Sequence, residues 1–141
     1  MPHYVILRKT VEDDTAFVLH RHTIPSFIPL QELCEEHLEK GVSGLEVFAT
    51  TLHRYLILLS NRAAVVSRIR MLKGVEEVRA DEAVRLVEVL RHARTAKIVL
   101  MDDGERCVVI NHDGKRMKEV EQVILDKEAG KDIVERIAKT L

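Results

Sequence analysis

The sequence predicts an α+β fold in which small antiparallel sheets are packed by helices. Short β-branched runs bounded by polar or glycine-containing turns indicate strands in both halves of the chain. Between them, residues 45–73 contain no glycine or proline and repeat apolar side chains at helical spacing. The chain has 141 residues, of which 46% are hydrophobic and 32% charged, a globular composition that suits one domain or two very small ones.

The chain is predicted to begin with an antiparallel hairpin. Residues 4–9 and 16–20 are rich in β-branched and aromatic side chains, and the polar residues 11–15 between them are typical of a turn. So short a connection favours antiparallel pairing, because parallel strands need a crossover of roughly a dozen residues or more.

An extended segment follows the hairpin. Pro25 and Pro29 lack backbone N–H groups, so the chain around them cannot lie inside a helix or a central strand. A segment without ladder hydrogen bonds must be held by apolar contacts. We therefore expect its large apolar side chains to be buried against the sheet, namely Ile24, Phe27 and Ile28.

Two helices are predicted next. Residues 30–40 form a short helix that Gly41 ends in a left-handed conformation. Residues 43–46 match a capping box at the start of a long helix, which ends at Lys73 and Gly74. The apolar stripe of the long helix consists of Leu45, Phe48, Leu52, Tyr55, Leu59, Val66 and Ile69, flanked by Ala49, Leu56 and Ala63.

The centre of this stripe is the predicted partner interface. A helix of about 29 residues would be about 43 Å long, whereas a strand of five or six residues spans only about 17–20 Å. Part of the stripe must therefore meet a second unit or another chain, and the isolated chain is expected to self-associate or to be poorly soluble. The interface residues are Leu52, Tyr55, Leu56 and Leu59, with Tyr55 as the anchor.

The second half is predicted to be a separate unit, so that the chain divides into residues 1–74 and 75–141. Residues 75–93 leave two alternatives open, a helix capped by Asp81 or a valine-rich strand. Asp103 and Gly104 predict a tight hairpin turn, because Asp-Gly accepts positive dihedral angles. The other predicted elements are strands over 97–101, 106–111 and 120–125, a loop over 126–130 and a helix over 131–141.

Few residues could carry chemistry. His20 and His22 have a spacing that can bind zinc or copper, and a metal- or thiol-dependent enzyme built around His20, His22 and Cys34 is one alternative function. A homo-oligomeric scaffold is the other. We prefer the interpretation that the histidines hydrogen-bond at the strand end and that Cys34 and Cys107 are reduced core residues. The sequence has no phosphate-binding loop, nucleophile elbow or His-Glu-x-x-His motif. We therefore predict no catalytic residue, no metal and no cofactor.

Charge and aromatic content argue against direct nucleic-acid binding. The net charge is -1, from 22 basic and 23 acidic residues. All tyrosines and phenylalanines lie in the first half, so the second half lacks base-stacking side chains. A basic run late in the long helix could contact phosphate, but it also matches the preference for cations at helix C-termini. It comprises Arg62, Arg68, Arg70 and Lys73. No apolar run approaches the roughly 18 residues of a membrane span.

The run from His20 to Leu30 resembles the C-terminal region of the centromere protein O family, a family of inner kinetochore subunits. Residues 4–8 resemble the strand that precedes this run in the family, and residues 48–70 resemble the helix that follows it. The turns at residues 103–104 and 113–114 resemble its closing segment. The motif residues are His20, His22, Thr23, Pro25, Phe27, Ile28 and Pro29.

The resemblance implies tandem RWD-type units, each a small antiparallel sheet with helices on one side. The first unit is expected to be incomplete, since only one strand pair precedes the proline segment. The resemblance also implies a non-catalytic structural subunit that forms a heterodimer with a centromere protein P-like partner and assembles with further inner kinetochore subunits. Its implied location is the centromere in the nucleus, and its implied role is chromosome segregation in cell division. RWD units are related to ubiquitin-conjugating folds, but the His-Pro-Asn tripeptide of those enzymes is missing here.

Overall fold

The computed structural model describes residues 2–10, 16–128 and 132–141. They form an α+β fold with two antiparallel sheets, which confirms the predicted class. The chain divides into two compact units, Met1–Ile57 and Leu58–Leu141, and each unit has its own hydrophobic core. The boundary between the units lies inside the long helix. The assignment of residues 1–74 and 75–141 to two related domains stays a prediction. Among the described residues, no helix has the length and apolarity that crossing a bilayer requires.

The first unit begins with the predicted hairpin. Strands β1 (Val5–Lys9) and β2 (Phe17–His22) pair antiparallel, with a register irregularity between Ile6 and Leu7. The predicted turn over residues 11–15 lies outside the described residues. Val5 and Leu7 of β1 are half-buried, whereas Ile6 is exposed, so one face of the hairpin packs against the rest of the unit.

The helices of the first unit begin directly after the proline segment. Helix α1 (Leu30–His37) is followed by a 3₁₀ helix (Leu38–Lys40) and by the long helix α2 (Gly41–Arg70). The predicted capping box is wrong, because α2 begins at Gly41 and the Ser43 hydroxyl donates to the Lys40 carbonyl instead, at 3.4 Å. Gly41 has the expected positive φ of 75°.

The proline segment is only partly as predicted. Ile24 and Ile28 are buried at 6% and 4% exposure, but Phe27 is half-buried at the edge of the core rather than inside it. The Ile28 N–H donates to the Pro25 carbonyl at 3.1 Å, so a local turn supplies part of the order that the missing ladder bonds cannot. The core of the first unit comprises Ile24, Ile28, Leu30, Leu33, Leu38, Phe48 and Leu52.

The second unit has a four-stranded antiparallel sheet in the order β3-β4-β5-β6. Its first two strands occupy residues 75–93, so the strand alternative is correct there and the helix alternative is wrong. Asp81 does not cap a helix; its carboxylate accepts the N–H groups of Arg85 and Leu86 and closes the β3–β4 turn. The strands are β3 (Val75–Ala80), β4 (Leu86–Arg91), β5 (Arg94–Met101) and β6 (Gly104–Ile110).

One predicted strand of the second unit is a helix. Residues 120–125 belong to α3 (Lys118–Leu125), not to a third strand of a meander. Helical spacing puts Val120 and Ile124 on one face, where Ile124 is buried, and leaves Val123 exposed at 41%. The chain ends in α4 (Ile133–Thr140), close to the predicted terminal helix.

The core of the second unit lies on one face of its sheet. Alternate residues of β4, β5 and β6 point toward the C-terminal part of α2 and toward α3 and α4. The fully buried members include Val87, Val89, Ala96, Ile98, Val109, Ile124 and Ile137.

Candidate partner-binding surface

The apolar stripe of α2 contributes to the core of each unit. Phe48 and Leu52 are 3% and 6% exposed in the core of the first unit. Val66 and Ile69 are 3% and 1% exposed in the core of the second. More of the stripe is therefore buried within the chain than the length of the helix led us to expect. Leu52, a predicted interface residue, belongs to the core of the first unit.

The other predicted interface residues are less covered. Tyr55 and Leu56 are half-buried and pack at the margin of the first unit's core. Leu59 is also half-buried, and it lies outside the core cluster of its own unit. These three side chains retain apolar surface that the described residues leave accessible.

A cavity of about 260 Å³ opens between β1 and α2 in the first unit. We call it the β1–α2 groove. Its volume lies below the roughly 300–1,000 Å³ of small-molecule sites. Apart from His3 and His53 its lining is nearly all apolar, so it suits apolar side chains better than a polar substrate. The apolar and aromatic lining residues are Tyr4, Val5, Leu7, Ile24, Leu45, Phe48, Ala49, Leu52 and Leu56.

The histidines of the family-like motif make hydrogen bonds at the end of the hairpin. His22 Nδ1 accepts the N–H of Ile24 at 3.0 Å, and His20 Nε2 lies 3.0 Å from the Arg8 guanidinium. The Thr23 hydroxyl accepts the Tyr4 N–H at 2.9 Å. The Thr23 bond ties the start of the proline segment to the residue before β1, and the His20 bond joins β2 to β1. Among the described residues, no group of three or more His, Cys, Asp or Glu side chains could hold a metal ion, so His20, His22 and Cys34 are not brought together as a site.

Both cysteines have unreactive surroundings. Cys34 is half-buried, and burial, followed by the carboxylate of Glu35, raises the pKa of its thiol. Cys107 is buried on the inner face of β6, where burial, followed by Glu121, raises the pKa of its thiol to about 12. A catalytic thiol needs the opposite shift, because the thiolate is the nucleophile.

Two of the arginines in the basic run hold the second unit together. Arg62 donates from Nε to the Ala83 carbonyl at 3.1 Å and lies 3.5 Å from Asp102. Arg68 pairs with Asp132 at 2.7 Å. Arg62 is mostly buried, whereas Arg68 is exposed despite its pairing, so Arg68, Arg70 and Lys73 are the accessible cations of the run.

Three buried charges among the described residues were missed from the sequence. Arg136 is 3% exposed and lies 3.6 Å from Glu105. Arg91 is 9% exposed and donates to the carbonyls of Lys73, Ile137 and Ala138. Glu121 is 5% exposed and accepts the N–H of Val109. No local spacing marks these residues as buried, since the Val109 amide that Glu121 binds and the partners of Arg91 and Arg136 are remote in sequence.

Comparison with known proteins identifies the family. The model of the Cenp-O kinetochore centromere component family matches residues 1–138. No curated protein matches the chain. The family match spans both units, including the hairpin, the histidine- and proline-containing motif, α2 and the second sheet. The chain therefore belongs to the Cenp-O kinetochore centromere component family.

Proposed function

We propose that this chain is a non-catalytic structural subunit that pairs with a centromere protein P-like partner and assembles with further inner kinetochore subunits. As a member of its family it is a kinetochore component, located at the centromere in the nucleus and serving chromosome segregation. The pairing, the identity of the partner and the non-catalytic character are the proposed part. We extend the proposal to the domain type, two RWD-type units over residues 1–74 and 75–141.

The partly covered apolar side chains of α2 carry the proposal. Tyr55 and Leu56 extend from the core of the first unit to its surface, beside the apolar β1–α2 groove. Aromatic side chains dominate interface hot spots, so Tyr55 is the proposed anchor. Leu59 adds a half-buried apolar side chain in the second unit, and Leu52 forms part of the floor of the groove.

The surroundings of the candidate reactive groups support a non-catalytic role. The thiol pKa values are raised, and His20 and His22 make structural hydrogen bonds. The charge balance and the engaged guanidinium group of Arg62 favour protein partners over nucleic acid.

The test is co-expression of the chain with a centromere protein P-like subunit, followed by titration of the two purified proteins. Leu59→Asp places a charge on the proposed surface without entering a core cluster, and we expect it to weaken pairing roughly tenfold or more, which corresponds to about 1.4 kcal/mol. Tyr55→Ala should act in the same direction. Wild-type chain that fails to bind the subunit would refute the pairing.

Thr50→Asp is the matched control. Thr50 is exposed on the same helix and lies nine residues before Leu59, about 180° around the axis at about 100° per residue. It adds the same charge to the opposite face, so pairing should be unchanged. Equal losses for Thr50→Asp and Leu59→Asp would show that α2 responds to charge in general and would remove Leu59 from the interface.

A further inference from the structure

Basic residues from three elements meet at one end of the second unit. Lys73 follows α2, and its carbonyl accepts the Nε–H of Arg91 at 2.9 Å. Arg91 and Arg94 are paired across the β4–β5 turn, and both donate to carbonyl groups in the last turn of α4. Lys139 is exposed in that same turn of α4. We call this surface the cationic end, and it comprises Arg70, Lys73, Arg91, Arg94 and Lys139.

No carboxylate neutralises the cationic end. In the part of the chain that the structure describes, none of its five residues belongs to an ion pair. The sequence contains no acidic residue from position 47 to position 75, and Glu76 on β3 is exposed. An excess of positive charge therefore remains at this end of the unit.

Arg91 adds to this excess from below the surface. It is only 9% exposed, and buried charges in proteins are usually paired with an opposite charge. Its hydrogen bonds instead go to the carbonyls of Lys73, Ile137 and Ala138. The carbonyls at the end of α4 carry only the partial negative charge of a helix C-terminus, so they hold the guanidinium without cancelling its charge.

An exposed apolar side chain lies within this surface. Met71, between Arg70 and Lys73 in the chain, is 85% exposed. Its amide donates to the Arg68 carbonyl at 3.1 Å, and the His92 ring packs against Gly74. The turn that carries Met71 and Lys73 is therefore held in place before any partner binds. Methionine is common at binding surfaces because its flexible thioether adapts to irregular contacts.

The surface matches an acidic polypeptide better than a nucleic acid. Nucleic-acid binding depends on many phosphate contacts along a basic surface, and single strands also stack their bases on aromatic rings. The second unit has no aromatic side chain of this kind, since Tyr55 is the last in the sequence, and the net charge of the chain is -1. A short segment with a few carboxylates matches the charge of the cationic end, and an apolar side chain within it can contact Met71.

We infer that the cationic end docks an acidic segment of another protein. The carboxylates of this segment face Arg70 and Lys73, and an apolar side chain between them packs on Met71. The inference adds a second protein-binding surface to the proposed function. It does not depend on the proposed pairing, because the two surfaces share no residue.

The test is fluorescence anisotropy of the full chain with a labelled peptide that has glutamates on both sides of a leucine. Arg70→Gln combined with Lys73→Gln should raise the dissociation constant roughly tenfold, because two of the facing charges are lost. Both side chains are exposed, so no apolar packing is disturbed. Met71→Ala should weaken binding in the same direction. The same peptide with glutamine in place of glutamate should bind much more weakly than the acidic form.

Lys97→Gln combined with Arg106→Gln is the matched control. It also removes one lysine and one arginine from the second unit, and both side chains are exposed. They alternate along their strands with the buried Ile98 and Cys107, so they lie on the face of the sheet that points away from the core. The affinity for the acidic peptide should be nearly unchanged.

Amide chemical shifts of the unaltered chain give a second readout, which does not require any variant to fold. Titration with the acidic peptide should move the signals of residues 70–74, 91–94 and 139. The signals of Lys97 and Arg106 should stay in place. Leu59→Asp, which alters the proposed pairing surface, should leave peptide binding unchanged. The Arg70 and Lys73 double variant should still pair with the centromere protein P-like subunit.

The outcomes separate this inference from its rivals and from the proposed function. Equal losses of affinity in the two double variants would show general attraction of an acidic peptide and would overturn the site. Duplex DNA that displaces the peptide and binds more tightly would assign the cationic end to nucleic acid and would overturn a protein partner. No binding of the acidic peptide at low ionic strength, where such contacts are strongest, would also overturn the inference and leave the proposed pairing standing.

Discussion

Glu121 connects α3 to the sheet of the second unit. Its carboxylate accepts the Val109 N–H at 3.0 Å and the Arg116 guanidinium at 2.7 Å. The bond from Arg116, followed by the bond from Val109, lowers the pKa of Glu121 even though burial acts against ionisation. The ionised form therefore stabilises the fold at neutral pH, because it accepts a hydrogen bond from the Val109 N–H, which does not bond to a neighbouring strand.

The lowered pKa of Glu121 predicts how stability depends on pH. Its contribution is fully present above the unfolded pKa of about 4.3 and is lost as the pH falls through the lower folded pKa. Glu121→Gln should reduce the free energy of unfolding at pH 7, and the difference from wild type should shrink below about pH 4. Urea unfolding at several pH values measures this. Glu119→Gln is the control, because Glu119 is exposed on the same helix. A difference that grows in acid would contradict the assignment.

Gly74 is required at the turn between α2 and β3. It has a φ of 85°, and a Cβ atom there would lie 2.6 Å from Cε1 of His92. Gly114 offers a matched comparison, because its φ of 82° is nearly the same and nothing lies within 4 Å of a Cβ atom there.

The two glycines allow the backbone and contact effects to be separated. Gly114→Ala should cost about 1–2 kcal/mol from the left-handed backbone alone. Gly74→Ala should cost more, because the His92 ring must also move. Thermal or urea unfolding measures both values. Equal losses would mean that the exposed His92 side chain moves away freely and that the contact has no energetic role.

At the scale of elements, the proline segment shows which features of a segment could be predicted from the sequence and which could not. Two prolines correctly predicted that apolar contacts hold this segment, since Ile24 and Ile28 are buried, but the prediction that it is extended is wrong at residues 25–28, which form a turn. The sequence could not show which of the apolar side chains would be most buried, because burial depends on where α1 and α2 lie. Phe27, the largest of them, is half-buried for that reason.

Substitutions in the proline segment should follow the observed burial. Ile28→Ala removes a side chain that is 4% exposed and should cost about 2–5 kcal/mol. Phe27→Ala should cost less than Ile28→Ala, although phenylalanine is the larger residue. Chemical unfolding of the two variants checks the order. A larger loss for Phe27→Ala would place Phe27 in a tighter environment than the one seen here.

The hairpins of the second unit show which turns a sequence can reveal. Asp103 and Gly104 correctly predicted a hairpin, although the turn residues are Asp102 and Asp103 and Gly104 is the first residue of β6. The β4–β5 turn is formed by His92 and Ala93, both with positive φ, which is the mark of a type I′ turn. Neither residue is typical of that turn, so the pairing of β4 with β5 determines the turn rather than local preference. For this reason residues 75–93 were ambiguous in the sequence.

At the scale of the whole molecule, the family and the fold class were predictable, but the use of α2 was not. The periodicity of α2 predicted an apolar stripe, yet periodicity cannot tell whether a stripe is covered by the same chain. The structure shows that Phe48 and Leu52 are covered in the first unit and that Val66 and Ile69 are covered in the second. No sequence pattern predicted the β1–α2 groove, because it exists only where β1 and α2 lie side by side in the folded unit.

The isolated chain should self-associate, because Tyr55, Leu56 and the β1–α2 groove stay partly uncovered. Sedimentation at tens of micromolar should show species larger than a monomer, and Leu56→Asp should reduce them. Circular dichroism of the variant must remain close to wild type, since Leu56 also packs at the margin of the core. A wild-type chain that stays monomeric over this range would contradict the expectation.

The placement of the cysteines has a practical consequence. Each compact unit contains one thiol, Cys34 in the first and Cys107 in the second. Cys34 is half-buried, whereas Cys107 is inside the sheet with a pKa of about 12. A thiol-labelling reagent should therefore modify Cys107 only when the second unit opens, while labelling of Cys34 follows local opening of the first. The rate at which each cysteine is modified therefore reports the opening of its own unit. Mass spectrometry of the two modified peptides would measure these rates separately, without an introduced probe.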